Sequence, residues 1–387
     1  MEHLSKSARL WIGGIVAGGM LALAPAGALA AGGWSIVTSP NASGVPSSDL
    51  SSVACANGNE CWAVGFTSVT NVFADNQTLI ERWNGHTWVV VASPNATAND
   101  SLLAATCKSE KDCWAVGIAS NGTNNQTLIE HWNGAFWSIV SSPNAGTGDN
   151  ILDGVACSSS NDCWAVGYSG TPAQTLAEHW NGGSWTIVSS PSPVVGQDNI
   201  LASVSCAAPT SCWAVGYAGP VGSNLALTLI EHWNGETWTA LSNSPNPSPT
   251  DDLLVGVTCQ SDSSCWAVGS QGGVGGLQTL TERWDGHSWT AVSSANTTPL
   301  MQNIFYDVAC ASAHNCWAVG IYQSAATQTL TEHWDGTSWT IALSQNTSSA
   351  ENNYLFGATC TSGAVCWSVG NSTDGAGFDH TLVETTS

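Results

Sequence analysis

Basic side chains are the scarcest element of this 387-residue sequence: 6 Lys and Arg stand against 28 Asp and Glu, and charged residues make up only 9% of it. The formal net charge of −22 would repel nucleic acid and anionic membrane surfaces, so we expect neither as a partner. Hydrophobic residues are plentiful, at 43% with 21 Trp, which excludes an intrinsically disordered chain.

Signatures of common enzyme chemistries are absent as well. The sequence contains no nucleophile elbow, no phosphate-binding loop and no zinc-binding motif. No residue is therefore assigned as catalytic from a motif, and function has to be inferred from the architecture.

One long apolar run stands near the N-terminus. Lys6 and Arg9 precede an apolar stretch over residues 10–23, and Ala28-Leu29-Ala30 follows it. This order predicts a secretory signal peptide over residues 1–30, and hence a secreted, extracellular protein with no membrane-inserted segment after cleavage. An uncleaved transmembrane anchor is the alternative, because about 20 apolar residues suffice to cross a bilayer.

The rest of the chain repeats one motif seven times. A second Cys precedes each Cys-Trp pair at constant spacing, and Thr-Leu-x-Glu follows downstream. Six copies continue as His/Arg-Trp-Asn/Asp-Gly with a further Trp. The Cys-Trp pairs recur every 49 to 53 residues, at Trp62, Trp114, Trp164, Trp213, Trp266, Trp317 and Trp367.

Each copy predicts four short β-strands. In the third copy, residues 163–167 alternate large and small side chains, the period of a pleated strand. Three further apolar runs surround it, and Asn181-Gly182 is a strong hairpin signal. Four strands joined by tight turns, repeated about every 51 residues, are typical of a β-propeller blade.

The two ends of the repeat complement each other. The last copy stops at residues 381–387 without a fourth strand, whereas residues 33–40 have the pattern of a fourth strand with no blade before them. Their pairing would remove exposed sheet edges. We therefore predict an all-β, seven-bladed propeller with four antiparallel strands per blade, one domain over residues 31–387, closed by its N-terminal strand.

The Cys-Trp-Ala-Val-Gly and Glu-His-Trp-Asn-Gly units resemble those of secreted bacterial β-propeller repeat proteins, over essentially the whole chain after residue 30. This resemblance implies the architecture and no particular activity. A looser similarity to kelch and Asp-box propellers exists, as at Asp285-Gly286 with Trp289. The Asp-box Ser and the kelch di-glycine are missing, so neither similarity implies a mechanism.

The cysteines predict one disulfide within each blade. Cys-x5-Cys spans the first hairpin, where opposed residues of an antiparallel pair lie about 4.5–5.5 Å apart. Structural zinc would want four ligands, and each blade offers two Cys. The expected pairs are Cys55–Cys61, Cys107–Cys113, Cys157–Cys163, Cys206–Cys212, Cys259–Cys265, Cys310–Cys316 and Cys360–Cys366.

The repeated Trp, Glu and His residues are expected to be structural. Trp at fixed places in strands favours packing between blades, and each Trp after a Cys should pack on that blade's own disulfide. Arg replaces His in two blades, which a metal ligand would not tolerate. The repeated Glu should be buried and hydrogen-bonded to Trp indole or backbone N–H groups: Glu81, Glu130, Glu178, Glu231, Glu282, Glu332 and Glu384.

Candidate binding residues lie in the loops that vary between blades. The loop after the Trp-x-Val-Gly strand ranges from residues 168–174 to residues 66–77, and such variable loops on a rigid frame usually carry binding. The loops between blades also carry Asx residues, which either form turns that start the inner strand or make an acidic ring that binds a cation or sugar hydroxyls. These candidates are Asp100, Asp149, Asn150, Asp198, Asn199, Asp251, Asp252, Asn303 and Asn353.

Two functions remain open. The first is a non-catalytic binding propeller whose ligand is an extracellular glycan or protein; no motif indicates a cofactor, and Ca²⁺ is left open. The second is an extracellular glycan-processing enzyme of the glycoside hydrolase or lyase type. Such an enzyme should show a carboxylate pair, or a carboxylate with Tyr or His, in one or two blades. The best candidates are Asp374, Asp379 and His380, or Asp75.

Overall fold

The computed structural model describes residues 33–69, 75–220 and 225–386, and within them the chain is all β. The predicted signal peptide, residues 1–30, lies outside the described residues. The strands are β1 (Trp34–Ile36), β2 (Ser47–Asn57), β3 (Glu60–Ser68), β4 (Gln77–Trp83), β5 (Trp88–Val91), β6 (Asp100–Ser109), β7 (Asp112–Ser120), β8 (Asn125–Trp132), β9 (Trp137–Ile139), β10 (Asn150–Ser159), β11 (Asp162–Ser169), β12 (Gln174–Trp180), β13 (Trp185–Val188), β14 (Asp198–Ala208), β15 (Ser211–Gly219), β16 (Leu227–Trp233), β17 (Trp238–Ala240), β18 (Asp252–Ser261), β19 (Ser264–Gly272), β20 (Leu277–Trp284), β21 (Trp289–Val292), β22 (Asn303–Ser312), β23 (Asn315–Gln323), β24 (Thr327–Trp334), β25 (Trp339–Ala342), β26 (Asn353–Cys360), β27 (Cys366–Thr373) and β28 (Asp379–Thr386).

These strands form seven four-stranded antiparallel sheets, which confirms the predicted seven-bladed propeller. Six sheets take four consecutive strands, beginning with β2–β5, and the seventh has the order β1-β28-β27-β26. We call the strands of each blade a, b, c and d from the ring axis outward. Among the described residues, no helix is long and apolar enough to span a membrane.

Ring closure follows the predicted route. Strand β1 pairs with β28, with Trp34 opposite Thr386 and Ile36 opposite Glu384. Beyond β1, the Asn41 side-chain oxygen accepts a hydrogen bond from Thr381 N at 2.9 Å. The N-terminal segment therefore completes the last blade by both a strand ladder and a loop contact.

Tryptophan pairs fill the junctions between blades. The strand-b Trp of each blade meets the strand-d Trp of the next edge to face, as Trp62 meets Trp137 with ring centroids 5.2 Å apart. The same Trp62 lies in one core cluster with Cys113 of the next blade. The expectation that each Trp packs on its own disulfide was therefore wrong, because the side chains of strand b face the neighbouring blade.

All seven predicted disulfides are present, with Cα–Cα distances of 3.9–4.1 Å, and no described cysteine is free. Each joins directly opposed residues of strands a and b, as Cys157 opposes Cys163. The bond closes the first hairpin of every blade and contributes roughly 2 kcal/mol by the chain-entropy estimate.

A β-bulge in strand a of every blade was not predicted. At that level the Gly of Trp-x-Val-Gly lies against strand a so closely that a Cβ on Gly65 would be 2.0 Å from the Asp49 carbonyl oxygen. Only glycine allows this approach, which explains the Gly in all seven copies. The residues without a partner across the strand pair are Ser51, Leu103, Asp153, Ala202, Val255, Tyr306 and Phe356.

The bulges close half of the ring axis. A bulge re-aims a side chain, and six of the seven bulge residues are buried although their strand is innermost. Ala202, Val255, Tyr306 and Phe356, from four successive blades, share one core cluster. We call this group the axial plug.

Replacing Trp34 by Ala tests the closure. Trp34 is 1% exposed and packs edge to face on Trp317 at 5.3 Å, so W34A should cost about 3–5 kcal/mol. The matched control is I36A, on the same strand but 37% exposed, which should change stability by about 0.5 kcal/mol or less. Thermal melting of both variants is the measurement, and equal melting temperatures would contradict closure by packing of β1.

Candidate functional site

The strand order separates two faces of the ring. The loops between blades and the loops joining strands b and c emerge together on what we call the loop face. The disulfide hairpins and the Asn/Asp-Gly turns emerge on the opposite hairpin face. On the loop face, residues 70–74 and 221–224 lie outside the described residues.

Three of the predicted acidic residues tie neighbouring blades together. Side-chain oxygens accept hydrogen bonds from backbone N–H groups at the start of strand c of the preceding blade: Asp149 from Asn125 at 2.8 Å, Asp198 from Ala173 at 2.8 Å and Asp251 from Ala226 at 3.2 Å. At the same position, Asn99 and Asn352 accept the same bond. The position therefore needs a side-chain acceptor and does not need a charge.

The other six predicted residues fold back onto their own inter-blade loops. Asp100 accepts from Thr97 N at 2.9 Å, and Asn150 accepts from Ala145 N at 2.6 Å. Asn199, Asp252, Asn303 and Asn353 make equivalent bonds. All six side chains are buried. These bonds run back to residues three to six positions earlier, unlike an Asx-turn, which reaches two residues onward; they hold the turns of the loops, and ligand binding by the nine residues stays a prediction.

The described residues contain no group of three or more His, Cys, Asp or Glu placed to hold a metal ion. Burial raises the pKa of Asp252 to about 6, with the neighbouring Asp251 charge adding to the shift. Asp149 and Asp251 are partly exposed, so acidic side chains do reach the surface of the loop face.

Charge is distributed unevenly between the faces. After residue 30 the sequence has four basic residues, and all belong to the hairpin half of their blades: Arg82, Lys108, Lys111 and Arg283. The loop face carries acidic side chains such as Asp75, Asp149 and Asp374, and no Lys or Arg.

Exposed apolar side chains concentrate on the loop face. Val195 is 91% exposed, Leu300 71% and Leu225 54%, and Val69 and Val274 are also exposed there. On the hairpin face the exposed large apolar residues of the described chain are Phe136 and Val365, and the outer strands d expose Ile36, Val89, Val90, Ile139 and Ile187. Phe136 is also the one aromatic residue in this exposed set.

The junction between the last and first blades holds a cluster of hydrogen-bonded polar side chains. Asn371 Nδ2 donates a hydrogen bond to Asp49 Oδ1. Asp379 Oδ1 accepts from Thr373 Oγ1 at 2.7 Å, and Asp379 N donates to Ser47 Oγ at 3.2 Å. Segments more than 300 residues apart in sequence therefore meet here.

The remaining enzyme candidates surround this cluster. His380 Nε2 lies 3.1 Å from Asp374 Oδ2. Asp75 Oδ1 accepts from Ser68 Oγ at 2.8 Å, and Ser68 pairs with Ser47 across the strands. Asp75, the alternative candidate of the sequence, is thus linked through Ser68 and Ser47 to the last-blade candidate Asp379.

Asp49 and Asn371 were missed by the sequence interpretation. At the position of Asp49, the other blades carry mainly large apolar residues: Ser101, Ile151, Ile200, Leu253, Ile304 and Tyr354. A residue that departs from the repeat is the signal that could have identified it.

The junction sets its carboxyl groups to different pKa values. Burial raises the pKa of Asp49 well above its usual range, and the Asp379 charge adds to this. Burial also raises the pKa of Asp379. By contrast, hydrogen bonds from Phe378 N and His380 hold the pKa of Asp374 below its usual range. The pKa values of the two buried carboxyls are thus shifted upward and that of the exposed one downward, a separation of the kind that acid–base chemistry uses.

The front of the junction is accessible and its back is not. Asp49 is 3% exposed, whereas the side chains of His380 and Asp374 are 39% and 37% exposed. Burial also raises the pKa of Tyr354, which carries a further hydroxyl beside the pair. A ligand would meet His380, Asp374 and Asp379 first.

The seven repeated Glu are fully buried, as predicted; backbone N–H partners occur as predicted at Glu332 and Glu384, whereas Ser hydroxyls were not predicted. Five accept a hydrogen bond from a Ser hydroxyl of the preceding blade, as Glu231 does from Ser190 at 2.7 Å. Glu332 accepts from Ala295 N. Burial raises the pKa of Glu231 to about 8, and six of the seven share this value.

Glu282 is the exception. Neither of its carboxyl oxygens, nor Ser244 Oγ in the preceding blade, has a hydrogen-bond partner among the described residues. Ser244 follows its strand-d Trp238 by six residues, where the other blades have five, and the extra residue displaces the hydroxyl. Burial accordingly raises the pKa of Glu282 to about 9.

The repeated His residues are structural, as predicted. His131 stacks on Trp114 with centroids 4.1 Å apart, and its Nε2 lies 2.8 Å from Asp112 Oδ1. Where Arg replaces His, Arg82 lies over Trp62 at 5.4 Å. Either residue covers the strand-b Trp on its outer side.

No family model and no curated protein matches the chain. Solved structures that are similar include "YCF48 bound to D1 peptide", at 13% identity over 92% of this chain and 96% of that one, with a TM-score of 0.56. A PL25 ulvan lyase bound to -[GlcA(1-4)Rha3S]- has 10% identity over 88% and 94%, with a TM-score of 0.54. Polysaccharide lyase Uly1 has 10% identity over 98% and 94%, with a TM-score of 0.50. At these identities the similarity shows the propeller fold alone.

The buried Glu ring predicts that stability falls as pH rises. The folded chain holds these protons up to about pH 8, while in the unfolded chain the Glu side chains release them near their ordinary pKa of 4.5. Stability is therefore highest below about pH 4.5 and decreases until the folded pKa is passed. Melting temperatures measured between about pH 5 and pH 8 should decline for this reason.

Replacing Glu282 by Gln should raise the melting temperature at about pH 8 and change it little at about pH 4, because the amide mimics the protonated acid. The control is E236Q, at an exposed turn position, which should leave the pH profile unchanged. A profile for E282Q identical to that of the unmodified protein would refute a protonated Glu282.

Proposed function

We propose that the protein is an extracellular binding propeller whose loop face holds a polypeptide segment that is neutral or positively charged. The observation that carries this proposal is the composition of that face: exposed aliphatic side chains among acidic ones, without any Lys or Arg.

The exposed aliphatic residues favour a partner over open solvent. Val195, Leu225 and Leu300 lie in loops where no strand packing requires an apolar side chain. Apolar groups exposed together with a polar surround are typical of interaction sites, and loops on a rigid frame are where such sites usually lie.

Aliphatic rather than aromatic exposure favours a polypeptide over a glycan. The Trp residues lie in the hairpin half of each blade, and no aromatic face is exposed among the described residues of the loop face. Among the described residues of this face, a sugar ring would meet only partly buried aromatic side chains such as Phe378 and Tyr322. The similar propeller YCF48 is bound to a peptide, which supports the same class of ligand here.

The charge of the face argues against an anionic polysaccharide. The repeat bound to the similar ulvan lyase contains a uronic acid and a sulfated sugar. The loop face here would repel such a chain, since it offers acidic side chains and no Lys or Arg to oppose them. A cationic segment would be attracted.

Extracellular location is supported by two observations. Every blade contains a disulfide, and disulfides of this density form in oxidising compartments. The sequence of residues 1–30 has the order of a signal peptide.

The charge contribution can be tested without disturbing the loops. In D149N/D198N/D251N each backbone N–H keeps an acceptor, as Asn99 and Asn352 provide in other blades. We expect an unchanged melting temperature and weaker, less salt-dependent binding of basic peptides selected from an array sorted by net charge.

The apolar contribution has its own variant. V195S/L225S/L300S should weaken the selected peptides about tenfold or more, whereas F136S on the hairpin face should not. Binding measured by calorimetry that survives both triple variants, or an array in which acidic peptides bind best, would overturn the proposal.

A second candidate is a glycan-processing enzyme that acts at the junction of the last and first blades. The specific observation is the pair Asp49 and Asp379 beside Tyr354, His380 and Asp374. Because no Lys or Arg lies on this face, the substrate would be a neutral glycan and the reaction a hydrolysis, with Asp379 as the acid.

Release of reducing ends from a panel of neutral polysaccharides tests this second candidate. We expect activity in the unmodified protein, its loss in D379N, and its retention in E236Q. A purified protein that releases no reducing ends from any member of the panel would refute it.

A further inference from the structure

The hairpin half of the ring axis contains a cavity of about 280 Å³. Strand a of every blade contributes at least two residues to its lining, all of them after the bulge and therefore on its hairpin side. The bulge residues of the axial plug precede these lining residues in strand a and thus lie on the loop side of the cavity. The cavity is therefore reached from the hairpin face, which separates it from the loop face and from the junction cluster.

The seven blades line the cavity unequally. Directly after the bulge, blade six carries Asp307, whereas the other six blades carry small residues there: Ser52, Ala104, Gly154, Ser203, Gly256 and Gly357. The preceding blade adds Gln260, where four of the other six blades have Ala or Ser. Two longer polar side chains from adjacent blades thus project into a wall of small residues.

Asp307 keeps acceptor capacity after its contacts within the protein. Its Oδ1 accepts from Val308 N at 2.9 Å and its Oδ2 from Ala358 N at 3.0 Å. A carboxylate has about four acceptor positions, so these bonds fix its orientation and leave about two. Gln260 Nε2 donates to the Cys310 carbonyl at 2.8 Å, which holds this amide in place.

The lining points to the chemistry of a ligand. Hydroxyl groups of Thr106, Thr258 and Thr359 join the carboxylate and the amide, and no Lys or Arg is present. Hydroxyl donors form strong bonds to carboxylates. One carboxylate is too few for Ca²⁺, which takes six to eight oxygens. A volume of 280 Å³ is at the small end of ligand pockets, about 300–1,000 Å³, and suits a single ring.

We propose that the axial cavity binds one neutral, polyhydroxylated small molecule of monosaccharide size, with the Asp307 carboxylate accepting two of its hydroxyl groups. The site is independent of the loop face, so its ligand and the proposed polypeptide could be bound together.

Titration calorimetry with a panel of neutral monosaccharides tests the proposal. We expect saturable binding of at least one sugar to the unmodified protein, weakened about tenfold or more in D307N. The Asn side-chain oxygen can still accept from Ala358 N, whereas its amide nitrogen cannot accept from Val308 N, so the melting temperature should fall slightly, by the loss of one hydrogen bond. T258V, which removes one hydroxyl while keeping the shape, should weaken binding to a smaller degree.

Two controls separate this site from the others. D262N removes a carboxylate in a disulfide hairpin outside the cavity lining, and V195S/L225S/L300S alters the loop face; both should bind the sugar normally. Absence of saturable binding across the panel, equal affinity of D307N, or preference for small amines over sugars would each overturn the proposal.

Discussion

The contact on which the whole ring depends is that between the strand-b Trp of one blade and the disulfide and strand-d Trp of the next. It occurs at all seven junctions with centroid distances of 5.1–5.4 Å. A single blade cannot bury its apolar Trp and disulfide surface by itself, so each blade is stable only next to its neighbour. Because the disulfide fixes the first hairpin, the surface offered to the preceding Trp is the same in every blade.

The seventh of these contacts needs a strand-d Trp that the last sequence repeat does not contain. Trp34 makes the contact with Trp317 that a seventh strand d would make, and Ser39 bonds Glu81 of the first blade as its equivalents do elsewhere. The last junction of the ring is therefore formed by the same kinds of contact as the other six. The residues around that closure are less constrained by the repeat, and this is where Asp49, Asn371 and Asp379 replace the usual apolar packing.

The repeat made the fold predictable, and departures from it made the site unpredictable. Blade number, disulfide pairs, Glu burial and closure followed from spacing, because equal spacing forces equal structure. The β-bulge in strand a was not predicted, because a residue without a partner across the strand pair leaves no gap in the repeated sequence pattern. Asp49 and Asp379 lie 330 positions apart in sequence, and no local pattern relates them. For Asx residues such as Asp149 and Asn150, both turn and ligand interpretations fitted the sequence; the hydrogen bonds decide only that the turns are formed.

The two proposed sites differ in how their negative charge would act on a ligand. The seven Glu contribute little to the negative field at neutral pH, because burial raises the pKa of Glu231 and its equivalents to about 8. The field on the loop face therefore arises from the Asp residues of its loops, which is where a cationic segment would be attracted. The axial cavity differs from the loop face in this respect. The axial plug separates it from macromolecules on the loop side, and its one carboxylate among hydroxyl groups offers directional hydrogen bonds rather than a broad electrostatic field. The Trp contacts between blades are the same at every junction. The loops can therefore vary to bind one ligand, and a single position of strand a can vary to bind another, because neither change affects these Trp contacts.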